Sequence, residues 1–242
     1  MLAGFFLWEN YRVIPIKAKE ALMNAYPKFQ SIEQVSDGWI KKYILTYQKP
    51  DGTLYTYESA SRKSLAEYQA ELERNGAAVS ANDSLTTNSS LTSINTSNCD
   101  AVCIVPELPD GSYLMIKEFR YPINGVFAAF PAGLIDEGET IEETVDRELR
   151  EETGYHLRTD VDTPVQPLVQ PGYSSVGMTD ESVLVVFAKV EKYGEASPEP
   201  NELIEPFILP KDEIRAFINS ASYLLGTRAQ LILEILALRS GS

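Results

Sequence analysis

Aromatic and β-branched residues gather in short paired runs, and two of these pairs are separated by the same triplet, Pro-Asp-Gly. Trp39 to Tyr47 (WIKKYILTY) precedes Pro50-Asp51-Gly52 and Leu54 to Glu58 follows it, which predicts a hairpin over about residues 37–62. Val102 to Val105 precedes Pro109-Asp110-Gly111 and Tyr113 to Ile116 follows it, which predicts a second hairpin. Proline presets φ and glycine accepts φ > 0, so the triplet turns the chain between runs that favour a pleated surface. Val126 to Phe130 predicts a short strand, and the unbroken apolar run Val183 to Ala188 a strand buried on both faces. Helical spacing is clearest at the end, where apolar residues recur at i, i+3, i+4 from Ala229 to Leu238; Leu65 to Glu73 is helix-permissive.

Between these blocks, from Val79 to Asn98, the residues are mostly Ser, Thr and Asn, with little to bury. This suggests three regions: a β-rich N-terminal region over 1–63, a low-complexity insertion or linker over 64–98, and a main domain over 99–242. Hydrophobic residues at 44% and charged ones at 23% are ordinary globular usage and exclude wholesale disorder or a disulfide scaffold. Cys99 and Cys103 lie in an apolar stretch and read as core residues of a reducing, cytoplasmic compartment. The apolar start Met1 to Trp8 is too short for a membrane span and lacks the basic residue of a signal peptide, so it is given a packing role. A net charge of −14 repels phosphate backbones, which argues against a nucleic-acid partner.

Half of that charge sits in one place. Between Asp136 and Glu152 nine acids face only Arg147 and Arg150. Thr140 with Glu143 three residues later is a capping box, and Gly154 supplies a left-handed stop, so the spacing predicts a helix from about Ile141 to Thr153. Ile141, Val145 and Leu149 would form its buried seam. On helical geometry Glu148, Glu152 and Glu151 project about 100°, 60° and 160° to one side of Leu149, so three carboxylates share a flank. Most acidic runs are solvated faces. Here, however, the carboxylates border the apolar seam, Arg147 stands four residues before Glu151, and the helix follows a Pro131-Ala132-Gly133 turn. Clustered carboxylate oxygens beside a loop suit Mg2+ shared with a phosphate substrate.

Gly133, Glu139, Arg147-Glu148-Leu149, Glu151-Glu152, Gly154 and Tyr155 fill every fixed position of the pattern GX5EX7REUXEEXGU, with Tyr155 a less usual apolar residue. The chain thus resembles the Nudix hydrolases. The resemblance implies an α/β fold, a Nudix-type α/β/α sandwich around a mixed sheet preceded by an N-terminal β-hairpin region. It also implies hydrolysis of a nucleoside diphosphate linked to another moiety. It makes Glu148 and Glu152 metal ligands, Glu151 a ligand or close neighbour, and the Ala132 carbonyl a further ligand, for Mg2+ or alternatively Mn2+. Glu139 and Arg147 would orient the catalytic acids.

Ile116 to Pro122 (IKEFRYP), Phe130 to Asp136 (FPAGLID) and Pro171-Gly172-Tyr173-Ser174 resemble the ADP-ribose pyrophosphatase branch. By that resemblance Arg62 and Arg120 hold phosphates, and Trp39 and Tyr57 sandwich the adenine, partly from a partner subunit. Single aromatics in a hairpin are otherwise more often plain packing. A late-loop acid that completes catalysis is matched best by Glu202, with Glu205 as the fallback. His156 reads as a surface residue. Two departures stand out: Ala129 occupies a position where many relatives carry a carboxylate, and the stretch from about Leu65 to Asn98 has no counterpart. The expected reaction is Mg2+-dependent cleavage of a nucleotide sugar, ADP-ribose to AMP and ribose 5-phosphate, by a homodimer. A GDP-sugar, NADH, a dinucleotide or an oxidised nucleoside triphosphate are alternative substrates, and nucleotide sensing without turnover the alternative from another class.

Overall fold

A computed structural model describes residues 26–81 and 99–240, and these fall into two compact units. The expected packing role of Met1 to Trp8, and the Ser/Thr/Asn-rich residues 82–98, lie outside the described residues.

The N-terminal unit is an antiparallel three-stranded sheet, β1 (Lys28–Gln34), β2 (Lys41–Gln48) and β3 (Leu54–Ser61), with helix α1 (Leu65–Ala81). The Pro-Asp-Gly turn between β2 and β3 closes as its chemistry requires: Gly52 has φ 83°, its N–H donates to Lys49 O at 2.9 Å, and Asp51 Oδ1 accepts from the Thr53 N–H at 2.9 Å. The insertion expected from residue 64 begins instead with an ordered helix. Tyr68 and Leu72, one turn apart, pack on Tyr43 and Leu45 of β2, and Ser64 and Glu67 bond reciprocally at the helix start. Ser175–Asp180 also belongs to this unit. The Ala60 N–H donates to Met178 O at 2.9 Å, the Tyr57 hydroxyl to Gly177 O at 2.7 Å, and Asp180 Oδ2 accepts from Ser61 Oγ at 2.9 Å and Lys63 Nζ at 2.8 Å.

The second unit is built on a ten-stranded mixed sheet. Its central path is β10 (Gly172–Tyr173), β11 (Ser182–Lys192), β4 (Ala101–Glu107), β5 (Tyr113–Arg120), β6 (Gly125–Ala129) and β13 (Leu224–Leu225). Around it, β7 (Ala132–Leu134) pairs β4, β12 (Ile204–Leu209) pairs β5, and β8 (Tyr155–Leu157) and β9 (Val165–Pro167) pair β11. Strands β11 and β4 run parallel, Val183 opposite Ala101 to Lys189 opposite Glu107; β4 is almost wholly buried, and β11 alternates buried and half-buried residues beyond Leu184.

Strand alternation divides the core into two faces. Val102 and Ile104 of β4, with Leu184 and Val186 of β11, meet Val145 and Leu149 of α2 (Ile141–Thr153) on one side. Cys103 and Val105, with Met115, meet α3 (Ile214–Ser220) and α4 (Thr227–Ser240) on the other, through Ile214, Leu233 and Leu236. The result is helix, sheet, helix, the sandwich the resemblance implies. Cys99 and Cys103 are buried, and burial pushes the Cys103 thiol up to about 11. No helix among the described residues is long and apolar enough to cross a membrane.

Candidate active site

Helix α2 is fixed at both ends by its own sequence. Thr140 Oγ1 accepts from the Glu143 N–H at 3.2 Å while Glu143 Oε2 accepts from the Thr140 N–H at 2.8 Å. At the other end Gly154 takes φ 70° and returns its N–H to Arg150 O; a Cβ there would strike Gly194 O and Ala196 N, so both conformation and space demand glycine. Val145 and Leu149 are fully buried against the sheet, which turns Glu148 and Glu152 inward beside them. Strand β7 delivers the Ala132-Gly133 backbone to the same place, with Ala132 opposite Cys103 and Gly133 opposite Val102. A Cβ on Gly133 would occupy the Glu148 carboxylate's position, so this glycine is what lets the helix acid lie against the strand.

Arg147 binds the assembly together. Its guanidinium donates to Glu139 Oε1 and Oε2 at 2.8 and 2.9 Å, to Leu134 O at 3.0 Å, to Glu148 Oε1 at 2.7 Å and to Glu151 Oε2 at 3.3 Å. Those bonds, led by the Arg147 contact, hold Glu139 down to about 2, and Glu139 in turn raises Arg147. This fork spans the loop, strand β7 and the helix with one side chain.

The inner carboxylates are in the opposite condition. Glu152 is 4% exposed and held well above the usual carboxylate range, by burial first, then by Glu148 and Glu118; its Oε2 accepts only a 3.2 Å bond from the Ala132 N–H. Burial also raises Glu148 despite its Arg147 partner, and Glu151 is half exposed. Glu202 adds its field to Glu118, Glu148 and Glu152, whereas Glu205 sits opposite Lys117 on the β12–β5 ladder and pairs with it at 2.7 Å. Parity along β5 sends Lys117 and Glu118 to opposite faces, so of the two late acids Glu202 shares a field with the helix carboxylates and Glu205 is committed elsewhere.

Among the described residues no three His, Cys, Asp or Glu side chains are already gathered in ligating geometry. The chemistry of the donor set fits a divalent cation nonetheless: hard carboxylate oxygens, buried and mutually repelling, beside the Ala132-Gly133 backbone.

Arg120 closes β5 with its side chain half exposed, its Nη2 2.9 Å from Glu118 Oε2. Glu118 itself is buried at 8% exposure and was not singled out by the sequence, although it continues the apolar face of Leu114 and Ile116 and a carboxylate there needs a reason. Ala129 is half-buried on β6, opposite Ile116. Trp39, Tyr57 and Arg62 belong to the N-terminal unit. Trp39 is 73% exposed just before β2, Tyr57 lies on β3 with its hydroxyl bonded to Gly177 O, and Arg62 follows β3. His156 is half-buried, 3.5 Å from Glu191.

Comparison with known proteins gives the arrangement a context. The NUDIX domain model matches residues 98–225, just over half the chain. An ADP-sugar pyrophosphatase of Mus musculus is 28% identical over 193 residues, covering 76% of this chain and 73% of that one. An ADP-ribose pyrophosphatase of Saccharomyces cerevisiae is 32% identical over 127 residues, 50% of this chain and 54% of that protein; the chain spans about half the length of most such relatives. A solved ADP compounds hydrolase superposes with a TM-score of 0.61 at 18% identity, covering 89% of this chain and 96% of that one, which supports the fold.

Proposed function

The chain belongs to the Nudix hydrolase family, and we propose that within it this protein hydrolyses the pyrophosphate bond of a nucleoside diphosphate sugar, ADP-ribose to AMP and ribose 5-phosphate, with Mg2+. The observation that carries the reading is Glu152, a nearly fully buried acid whose nearest charges include two more acids and which has one backbone N–H as partner. Burying such a group is costly unless a cation compensates it.

In this reading Glu148, Glu151, Glu152 and the Ala132 carbonyl hold the metal. Bound there, the metal would neutralise the diphosphate and make a water a better nucleophile. Arg147 keeps Glu148 and Glu151 aimed by donating to both. Glu202, half-buried and within the field of Glu148 and Glu152, takes the proton of the attacking water. Arg120 donates to a phosphate oxygen through its exposed guanidinium. The mouse and yeast relatives named for ADP-sugar and ADP-ribose support the choice of substrate. Arg62 as a phosphate contact and Trp39 and Tyr57 as adenine contacts rest on the sequence resemblance, as does a cytoplasmic homodimer.

The test is a panel of nucleotide sugars, NADH, dinucleotides and oxidised nucleoside triphosphates with Mg2+, products identified by mass. AMP and ribose 5-phosphate from ADP-ribose, abolished by EDTA, is the expected outcome. Preferential turnover of another substrate corrects the substrate, and binding without turnover rejects the enzymatic reading.

A further inference from the structure

Among the described residues one buried side-chain oxygen has no hydrogen bond, Glu118 Oε2. It lies on β5 opposite Phe127 of β6 and Ile204 of β12, on the face that begins with Leu114 and Ile116. Packing alone does not call for a carboxylate here, because an apolar or amide side chain would avoid burying a charge. The nearby acids make matters worse: Glu202 repels Glu118, and Glu118 repels Glu152. The one cation beside it among the described residues is Arg120, two residues on and therefore on the same strand face, with Nη2 2.9 Å from Oε2. That contact is close enough for strong attraction yet lacks the alignment of a hydrogen bond, so it restrains the guanidinium without consuming its donors.

We propose that Glu118 is a positioning residue: its buried carboxylate tethers Arg120 over the acidic site so that the guanidinium presents its free N–H groups to the diphosphate of the substrate. The inference rests on the reading of Arg120 as a phosphate contact. Arg120 ends its strand, and the chain turns away immediately through Tyr121–Ile123, a single 3₁₀ turn with Pro122 inside it. An arginine so placed, with its side chain 55% exposed, has many rotamers to lose when it meets an anion. A fixed charge beneath it removes part of that loss before the substrate arrives, which lowers the cost of binding rather than the chemical barrier. The burial penalty of Glu118 is the counterpart, carried by the fold in the free enzyme.

The experiment is a double-mutant cycle on the full chain with Mg2+ and the sugar that the substrate panel identifies. Glu118→Ala is expected to raise KM on the order of tenfold with kcat within about twofold, the split expected when ground-state positioning is lost. Arg120→Ala should raise KM by at least as much. The double variant should match Arg120→Ala alone, because a tether without its arginine has nothing to hold. Glu118→Gln, nearly isosteric and uncharged, should reproduce the KM of Glu118→Ala and serves if the alanine variant fails to fold. Thermal melting of the metal-free protein should hold or rise in both Glu118 variants, since a buried repelled charge is removed. Glu118 variants with wild-type KM beside an impaired Arg120→Ala, additive KM effects, or a large drop in melting temperature with KM unchanged would each overturn the tether. An Arg120→Ala enzyme with wild-type KM would overturn the phosphate reading itself and the tether with it. If no nucleotide is turned over, calorimetric titration of the same variants with inorganic pyrophosphate reads the cycle as affinities.

Discussion

The two ends of α2 carry similar charges in opposite states. At the entrance, Glu139, Glu143 and Arg147 are saturated with partners: the capping box closes on Thr140 and the Arg147 fork reaches loop, strand and helix. At the exit, Glu152 is buried deeper, yet it has one backbone N–H for a partner and Glu148 and Glu118 for company. The difference separates what holds the helix from what the helix is held for. Groups that stabilise are paired, and the proposed metal site gathers the groups left buried and repelling, whose cost a cation would offset.

The strongest way to break this contrast is Glu152→Gln. The substitution keeps an oxygen for the Ala132 N–H but removes the charge. Turnover should fall by about 100-fold or more, roughly 3 kcal/mol of transition-state stabilisation. The metal-free protein should melt at the same temperature or higher, and added Mg2+ should stabilise it less than it stabilises the wild type. Steady-state rates and thermal scans with and without EDTA check all three; a variant that loses stability and keeps its rate would place Glu152 among the structural acids. Gly133→Ala probes the same end from the strand side, because the new methyl takes the space of the Glu148 carboxylate and should cost activity comparably.

Arg147→Met sharpens the other side. It strands Glu139 and Glu148 without their cation and should destabilise the fold by about 2 kcal/mol, measured by denaturant titration. The pH dependence follows the same contact. Glu139 is held at about 2 in the folded protein, below its ordinary value, so the stability it contributes is present above roughly pH 4.5 and is lost as pH falls toward 2. In Arg147→Met that part of the acid-side slope should disappear; an unchanged slope between pH 4.5 and 2 would detach Glu139 from the fork.

The same contrast explains what the sequence made legible. The capping box, the Gly154 stop and both Pro-Asp-Gly turns are local chemistry, and they appear where their residues stand; Gly111 repeats the turn of Gly52 with φ 84°. Strands of two or three residues, such as β7, β8 and β10, carry no period to read, and α1 was legible only as the helix-permissive stretch Leu65 to Glu73, because two apolar positions, Tyr68 and Leu72, suffice to dock a helix that runs on to Ala81. The sequence ranked Glu202 ahead of Glu205 only weakly, and what distinguishes them in space is that Glu205 lies across from Lys117 on the β12–β5 ladder and pairs with it. Glu118 escaped because its meaning lies in burial and in acids contributed by α2 and by the loop before β12, which a one-dimensional pattern does not hold.

The smallest expected effect is at the cap. Thr140 Oγ1 accepts from the Glu143 N–H at 3.2 Å and donates to Glu143 Oε2 at 2.8 Å, so Thr140→Ala leaves one helix N–H without its acceptor and loosens the Glu143 return bond. Loss of such a cap costs about 1 kcal/mol. In a chain of this size that corresponds to a melting temperature lower by about 2–4 °C. The active-site acids should not notice: Val145 and Leu149 remain fully buried, Arg147 keeps its bonds to Glu139 and Leu134 O, and Glu148 and Glu152 lie two to three turns further along. The rate at saturating substrate should therefore stay within about twofold of wild type, a margin of under 0.5 kcal/mol. A kcat that fell along with the melting temperature would mean that the cap sets the position of the carboxylates, and that the two ends of the helix act as one body rather than as a support and a site.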